Sequence, residues 1–241
     1  MIPKKIHYCW FGRGQMPALA VKCIESWKKY LPEYEVKEWN EDNFDLELYP
    51  YVREAYDNRK FAFVTDVVRL YALYTEGGIY MDTDVEVLKP LDILLPYEAV
   101  SGFESSIQVP TGLIASEAGS PIIGELLSEY DNRRFMKKSG ELDVTTNVFY
   151  ITQTLLKYGL KLDDTYQTVN GFTFFPHDYL CPKSVKDGKI FITDNTLAIH
   201  HFAGSWHNPF RNKVRDFLVK VGGYRLKAFV RFIIPKKLID K

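Results

Sequence analysis

The 241-residue sequence has few cysteines, and those it has are poorly placed for a disulfide scaffold or a zinc site. There are three, odd in number and widely spaced: Cys9, Cys23 and Cys181. Disulfide frameworks need paired cysteines and zinc sites need clustered ones. A secretory leader with its apolar core is also missing at the start of the sequence. We therefore expect a protein of a reducing compartment, the cytoplasm.

The sequence also lacks long apolar runs and an excess of charge of one sign. No stretch reaches the roughly 18 apolar residues that indicate a transmembrane helix. The formal net charge is zero, whereas a general nucleic-acid binder carries a basic excess. Internal repeats and low-complexity segments are absent as well. These features exclude repeat architectures and predict neither a membrane span nor a nucleic-acid partner.

The balanced charge hides an uneven distribution. Residues 211–241 hold ten Lys or Arg and two Asp or Glu, so this segment has a charge of +8 and residues 1–210 carry −8. Apolar residues within it recur at helical spacing, as in helices that lie on anionic membranes. The sequence thus predicts a single domain over 1–210 and a basic amphipathic helical tail over 211–241. The tail either contacts the inner membrane face peripherally or packs its apolar stripes on the domain.

Hydrophobic residues make up 46% of the chain and aromatic residues 15%, which is enough for a sizeable core. The opening predicts a strand over residues 2–12, a helix over 18–30 and a second strand over 34–39. Strands and helices continue to alternate, which favours an α/β fold with a mainly parallel sheet flanked by helices on both faces. Such sheets bind ligands at the carboxyl ends of their strands.

Residues 61–88 contain the most informative pattern. Apolar residues at helical spacing predict a helix that starts near Phe63 and ends at Gly77-Gly78, with Asp66 and Arg69 three residues apart and close enough to form an ion pair. The next segment, 79–87, alternates as a strand does. That alternation places four polar residues on one face: Tyr80, Asp82, Asp84 and Glu86.

The two aspartates in this strand point to a bound cation. Like charges this close raise each other's pKa unless a cation or several hydrogen bonds compensate them. A hard divalent ion binds through one or two carboxylates together with substrate phosphates. Asp82 and Asp84 are therefore candidate metal ligands. The alternative is a pair of aspartates on a solvated strand end.

Two further groups suit a ligand site. Three of the five histidines fall within residues 200–207, and neutral imidazole is a common ligand of manganese and other transition metals. Neighbouring residues of a strand point to opposite faces, so only one of His200 and His201 is expected to face a given site. Trp10, at the end of the first strand, has a ring suited to stacking on a base or sugar. The alternatives are satisfied loop histidines and a core tryptophan.

Three segments together resemble a known family. They read IPKKIHYCWFG (residues 2–12), FVTDVVRLYALYTEGGIYMDTDVEVLKPLD (63–92) and HHFAGSW (200–206). Their order and content resemble the DXD-containing glycosyltransferases of family 32, a GT-A-fold group related to yeast initiating mannosyltransferases and distantly to the catalytic domains of large clostridial glucosylating toxins. The resemblance implies a nucleotide-sugar-dependent transferase that retains the anomeric configuration of the donor.

The resemblance also implies roles for individual residues. Trp10 would stack on the nucleotide base and Tyr80 would line its pocket. The residues expected to act in catalysis and in binding of the donor sugar, ribose and metal are Asp66, Arg69, Asp82 and Asp84. The first choice for a further ligand of Mn²⁺ or Mg²⁺ is His201, with His200 as the substitute. The diphosphate would be contacted by Ser205 and Trp206. Residues 111–120 and 145–147 depart from the family pattern on the acceptor side.

The expected donor is a UDP-sugar, with GDP-mannose as the other possibility. The expected acceptor is a glycan or a lipid-linked glycan, in capsular or cell-surface polysaccharide synthesis. One alternative is a D-x-D phosphohydrolase, although no Gly-Thr follows the motif. Another is a calcium- or sugar-binding module built on Asp82, Asp84 and Glu86, although Val87 stands where a calcium loop has its turn glycine.

Overall fold

The computed structural model describes residues 1–104, 108–109, 112–184 and 187–204. Residues Met1–Phe202 form one compact unit. Ser205, Trp206 and the predicted tail over 211–241 lie outside the described residues. Within the described part of the chain, no helix combines the length and apolar character needed to cross a bilayer.

The described part of the chain contains nine strands, six α-helices and a short 3-10 helix at Asp92–Leu94. The strands are β1 (Lys5–Cys9), β2 (Glu35–Trp39), β3 (Gly78–Met81), β4 (Val85–Val87), β5 (Ala99–Gly102), β6 (Leu113–Ser116), β7 (Gln167–Val169), β8 (Phe172–Phe175) and β9 (Ala198–His200). The helices are α1 (Ala18–Tyr30), α2 (Pro50–Asp57), α3 (Phe61–Glu76), α4 (Pro121–Ser128), α5 (Asn147–Lys157) and α6 (His177–Leu180).

The main sheet has seven strands in the order β2-β1-β3-β6-β5-β8-β7. Its pairings make β1, β2, β3, β5 and β8 run in one direction, with β6 and β7 opposed. A second, two-stranded sheet pairs β4 with β9 in antiparallel orientation. The predicted mainly parallel sheet is thus confirmed.

Helices cover both faces of the main sheet, as predicted. One apolar cluster joins residues of α2, α3, α4 and α5 to Tyr80 and Ile114 of the sheet. The other joins α1, through Trp27 and Leu31, to Ile79 and Met81 and to the β4–β9 pair. Alternate residues of β3 therefore enter different cores. The predicted α/β class, a mainly parallel sheet flanked by helices on both faces, is confirmed by this arrangement.

Two glycines set the position of β3 against β1. Gly77 and Gly78 have φ of 65° and 116°, which an L side chain rarely adopts. A Cβ on Gly78 would also lie 2.6 Å from the carbonyl oxygen of Lys5. The carbonyl of Gly77 meets Nε2 of buried His7 at 2.7 Å, which ties the end of α3 to β1. The helix, turn and strand predicted around this pair are present.

The structure corrects the predicted strand over 79–87. It is divided into β3 and β4, and Asp82–Asp84 forms a turn in which the Val85 N–H donates to the Asp82 carbonyl at 2.9 Å. The two aspartates therefore do not share the face of one continuous strand. The β3 part is buried on both faces, because helices cover each side of the sheet.

Two other expectations differ from the structure. The polar, mixed sequence of residues 40–60 predicts a connection, but this segment contains α2, whose buried residues Tyr51, Val52 and Ala55 have helical spacing. The sequence of residues 189–192 predicts a short strand, but this segment contributes only an isolated bridge between Ile190 and Lys183. In both segments the apolar residues follow a helical or strand period over only a few positions, which is too few to identify the element from the sequence.

Candidate active site

Two of the predicted site residues, Asp82 and Trp10, lie where parallel strands of the main sheet end. Asp82 follows the last residue of β3, and its N–H donates to the Gly112 carbonyl at 2.8 Å. Trp10 follows β1, which pairs with β3 in parallel. Carboxyl ends of neighbouring parallel strands meet at one edge of a sheet, the usual place for a ligand.

One arginine joins two aspartates on the side of the site that faces α3. Nη2 of Arg69 lies 3.2 Å from Oδ1 of Asp66 and 3.3 Å from Oδ1 of Asp82. The guanidinium also lies over the Tyr80 ring, 4.7 Å from its centroid. Arg69 is only 4% exposed, and burial strengthens its attraction for both carboxylates. Asp66, Arg69 and Asp82 therefore form one charged group, in which Asp66 and Arg69 are buried and Asp82 is partly exposed.

Asp66 remains hard to ionise in spite of this arginine. Burial raises the pKa of its carboxyl to about 6, although the nearby Arg69 charge acts in the opposite direction. The backbone N–H of Asn147 donates to Oδ2 of Asp66 at 3.3 Å, and the Asn147 side-chain amide donates to the Asp66 carbonyl at 2.9 Å. Asp66 is thereby fixed to the first residue of α5.

On the other side of Asp82 lie Asp84 and His200. Nε2 of His200 is 3.4 Å from Oδ1 of Asp84 and 4.0 Å from Oδ2 of Asp82. The antiparallel register between β4 and β9 pairs Val85 with His200, which brings the imidazole next to the Asp82–Asp84 turn. Ligand atoms of the three side chains all lie within 4.8 Å of one another.

This group fits a divalent cation. Two carboxylates and one imidazole form a donor set that suits manganese, whereas magnesium prefers oxygen alone. Burial by itself lowers the pKa of His200, but hydrogen bonding to Asp84 and Cys181 and the charges of the two aspartates raise it well above its ordinary value. The imidazole thus lies in a strongly negative environment, as a cation ligand would.

His201, the first choice as the histidine ligand, lies elsewhere. Its Nε2 is 2.8 Å from Oε2 of Glu86, which also pairs with Lys22 at 2.9 Å. Its backbone N–H donates to the Asp84 carbonyl at 3.0 Å. The structure therefore brings His200, the substitute choice, to the two aspartates and turns His201 toward Glu86.

Comparison with known proteins identifies the segment that carries Asp66, Arg69, Asp82 and Asp84. Residues 17–101 match the family described as a glycosyltransferase sugar-binding region containing a DXD motif. Asp82 and Asp84 supply that motif. This segment is therefore similar to the sugar-binding region of DXD-containing glycosyltransferases.

Two curated relatives resemble this chain in sequence. Inositol phosphoceramide mannosyltransferase 3 of Schizosaccharomyces pombe is 32% identical over 126 residues, which cover 51% of this chain and 35% of the relative. Glucan organizing enzyme 1 of Cryptococcus neoformans is 39% identical over 83 residues, which cover 30% of this chain and 23% of the relative. The match thus spans about a third of the first relative and a quarter of the second.

Among solved structures, the PaToxG glycosyltransferase superposes with a TM-score of 0.49 at 20% sequence identity. The superposition covers 65% of this chain and 69% of that one.

Tyr80 and Trp10 are the other described residues that the sequence assigns to the DXD site. The Tyr80 hydroxyl donates to Oδ1 of Asp82 at 2.8 Å, and the side chain is buried. Tyr80 therefore reaches the site through Asp82. Trp10 is half-buried, and its Nε1 donates to the Gly14 carbonyl at 2.6 Å. This bond fixes the indole beside the loop that follows β1.

Two residues next to the site were not assigned to it from the sequence. Asn147 holds Asp66 as described above, and the departure from the family pattern at 145–147 was its one signal. Glu104 follows β5 at the same edge of the sheet, where burial raises its pKa although the His200 charge acts to lower it. Its signal was its place as the last residue of a segment, 99–104, whose sequence predicts a short strand.

Proposed function

We propose that this protein is a metal-dependent, retaining hexosyltransferase that moves a sugar from a nucleotide sugar to a glycan acceptor. The observation that carries the proposal is the convergence of Asp82, Asp84 and His200 at the carboxyl edge of a DXD-domain sheet. A phosphohydrolase or a calcium- or sugar-binding module explains the aspartates, but neither explains the family match. The name of the fission yeast relative, a mannosyltransferase, points to the same reaction class.

The three side chains of this group would hold Mn²⁺, with Mg²⁺ as the alternative. When bound, the cation acts as a Lewis acid that stabilises the negative charge of the leaving nucleoside diphosphate. Asp82 is oriented for this role by Tyr80 and Arg69, which both contact its Oδ1 and leave Oδ2 toward His200. Side chains held in this way lose little freedom when a ligand binds.

The remaining residues would bind the rest of the donor. We assign the half-buried Trp10 ring to stacking on the nucleotide base, and Asp66 and Arg69 to the hydroxyl groups of the sugar. Ser205 and Trp206 are assigned to the diphosphate on the family resemblance. A UDP-sugar is the favoured donor, and the mannosyltransferase relative makes GDP-mannose the second candidate.

The acceptor would be a glycan or a lipid-linked glycan of capsular or cell-surface polysaccharide. The three free, buried cysteines suit a reducing cytoplasm. The +8 charge of residues 211–241 suits contact with the anionic inner membrane face. Vesicles with anionic lipid should bind the full chain and not a chain that ends at residue 210; equal binding by both would disprove the assignment of the tail.

Turnover of a panel of UDP- and GDP-sugars with Mn²⁺ tests the proposal. One donor should be hydrolysed or transferred, and chelation of the metal should stop the reaction. Asp84→Ala should slow transfer about a thousandfold, since a loss of roughly 4 kcal/mol of transition-state stabilisation corresponds to three factors of ten. Asp131→Ala, which changes an exposed aspartate after α4, is the control and should retain full activity.

Three results would contradict the proposal. An Asp84→Ala protein that remains active and metal-dependent would remove the assigned ligand. Cleavage of simple phosphate esters without any nucleotide-sugar turnover would favour the phosphohydrolase. Calcium binding without turnover of any donor would favour the binding module.

A further inference from the structure

Gly112 contacts the proposed metal site from the start of β6, the strand that pairs with β3. It lies directly before β6, and its carbonyl accepts the N–H of Asp82 at 2.8 Å. Its α-carbon lies against the ring of His200. A Cβ built on Gly112 would be 2.7 Å from both Cε1 and Nδ1 of that ring and 3.1 Å from Cγ. These separations are far shorter than a van der Waals contact between heavy atoms.

Backbone conformation does not explain a glycine here. Many glycines of this chain adopt a left-handed φ, including Gly77 and Gly78 in the turn before β3. Gly112 is not among them, so its own φ is open to an L residue. What the position lacks is space for a side chain, and the atoms that occupy this space belong to His200.

The imidazole has little room to move away from an added methyl group. Its side chain is 14% exposed, and Nε2 faces Oδ1 of Asp84 at 3.4 Å. The ring also packs on Phe202, with 4.2 Å between centroids. A methyl group on Gly112 would therefore displace the ring from Asp84 or from Phe202, because close-packed interiors accommodate added atoms only by shifting their neighbours.

We propose that Gly112 is a positioning residue for metal binding: the missing side chain lets the His200 ring lie where Nε2 faces Asp82 and Asp84. The proposal rests on the proposed function, since it concerns the same metal site. It goes further by giving a role to a residue that lies outside the candidate ligand set of Asp82, Asp84 and His200. Gly112 acts on both ends of the site, through the Asp82 backbone and the His200 ring.

Binding of Mn²⁺ to the protein without donor, followed by electron paramagnetic resonance of the free ion, tests this role. Gly112→Ala should weaken Mn²⁺ binding at least about tenfold, the size of effect seen when groups that orient metal ligands are changed. Gly124→Ala is the matched control. Gly124 lies in α4, and a Cβ built on it would also meet an aromatic ring, 2.7 Å from Cε2 of Tyr74. It should bind Mn²⁺ as the wild type does.

The same substitution in a His200→Ala background separates a positioning role from a general loss of structure. Without the ring there is nothing for the methyl group to displace, so Gly112→Ala should then change Mn²⁺ affinity by less than about twofold. If the single variant folds poorly, His200→Ala should restore its stability. An equal loss of affinity in both backgrounds, or instability that persists without the ring, would overturn the proposal.

Failure of this inference is distinguishable from failure of the proposed function. Wild-type affinity in Gly112→Ala, together with weakened binding in Asp84→Ala, would overturn the role of Gly112 and leave the metal site intact. A wild-type protein that binds no Mn²⁺, with or without nucleotide sugar, would overturn both.

Discussion

The two sides of Asp82 balance negative charge in different ways. Toward α3, Arg69 supplies a permanent cation that lies 3.2 Å from Asp66 and 3.3 Å from Asp82. Toward β9, Asp82 and Asp84 meet an imidazole, whose charge depends on its protonation. On the first side, the protein itself supplies the cation that faces the carboxylates. The second side has the composition of a cation site. Asp82 belongs to both, with Oδ1 toward Arg69 and Oδ2 toward His200.

Removing the permanent cation should cause the largest change. Arg69→Ala leaves two poorly solvated carboxylates without their partner, and loss of one member of a buried ion pair typically costs about 3–5 kcal/mol. We expect the free energy of unfolding in urea to fall by about that amount. Arg53→Ala removes an arginine from an exposed pair with Asp57 on α2 and should cost less than about 1 kcal/mol. Similar losses in the two variants would show that burial adds nothing to the Arg69 group.

A second prediction uses the pH dependence of the same side. The carboxyl of Asp66 has its pKa raised from 3.8 to about 6 in the folded protein, chiefly by burial. A raised pKa means that the folded state holds the proton more tightly. Asp66 therefore stabilises the fold fully below about pH 3.8 and loses that contribution as the pH rises through about 6. This rise of about two pH units in the pKa corresponds to a full contribution of about 3 kcal/mol to the free energy of unfolding.

Unfolding in urea at pH 4 and pH 7 measures this contribution. From pH 4 to pH 7 the wild type should lose about 2 kcal/mol more than Asp66→Asn, which has no carboxyl to ionise, because aspartates of the unfolded chain are already partly ionised at pH 4. Asp143→Asn is the control, because the hydrogen bond from Arg133 helps to lower the pKa of Asp143 and its titration falls below this range. An equal pH dependence in wild type and Asp66→Asn would contradict the raised pKa.

Local patterns in the sequence were sufficient for the α3 side. The spacing of Asp66 and Arg69 on one helix predicts their ion pair, and Gly77-Gly78 predicts where that helix ends. The ends of α1 also follow from local apolar spacing and from Pro32. Each of these features depends on residues within a few positions of one another, so tertiary contacts do not change the outcome.

The β9 side depends on contacts between distant parts of the chain. The alternation of residues 79–87 continues unchanged across the turn at Asp82–Asp84, so the break between β3 and β4 has no local signal. The break arises because β4 pairs with β9 and not with the main sheet. The same pairing decides which of two adjacent histidines faces the aspartates. Gly112 meets His200 through tertiary packing alone, so no local pattern assigns it a role.

The two adjacent histidines provide the last and smallest test of the comparison. His200→Ala should weaken Mn²⁺ binding at least about tenfold, or about 1.4 kcal/mol, because the imidazole beside Asp84 is lost. His201→Ala should change it by less than about twofold, since its ring is bonded to Glu86. Calorimetric titration of both variants with Mn²⁺ measures the difference. If His201→Ala had the larger effect, the metal would bind through the histidine that the sequence favoured first, and the register between β4 and β9 would have to differ when the cation is bound.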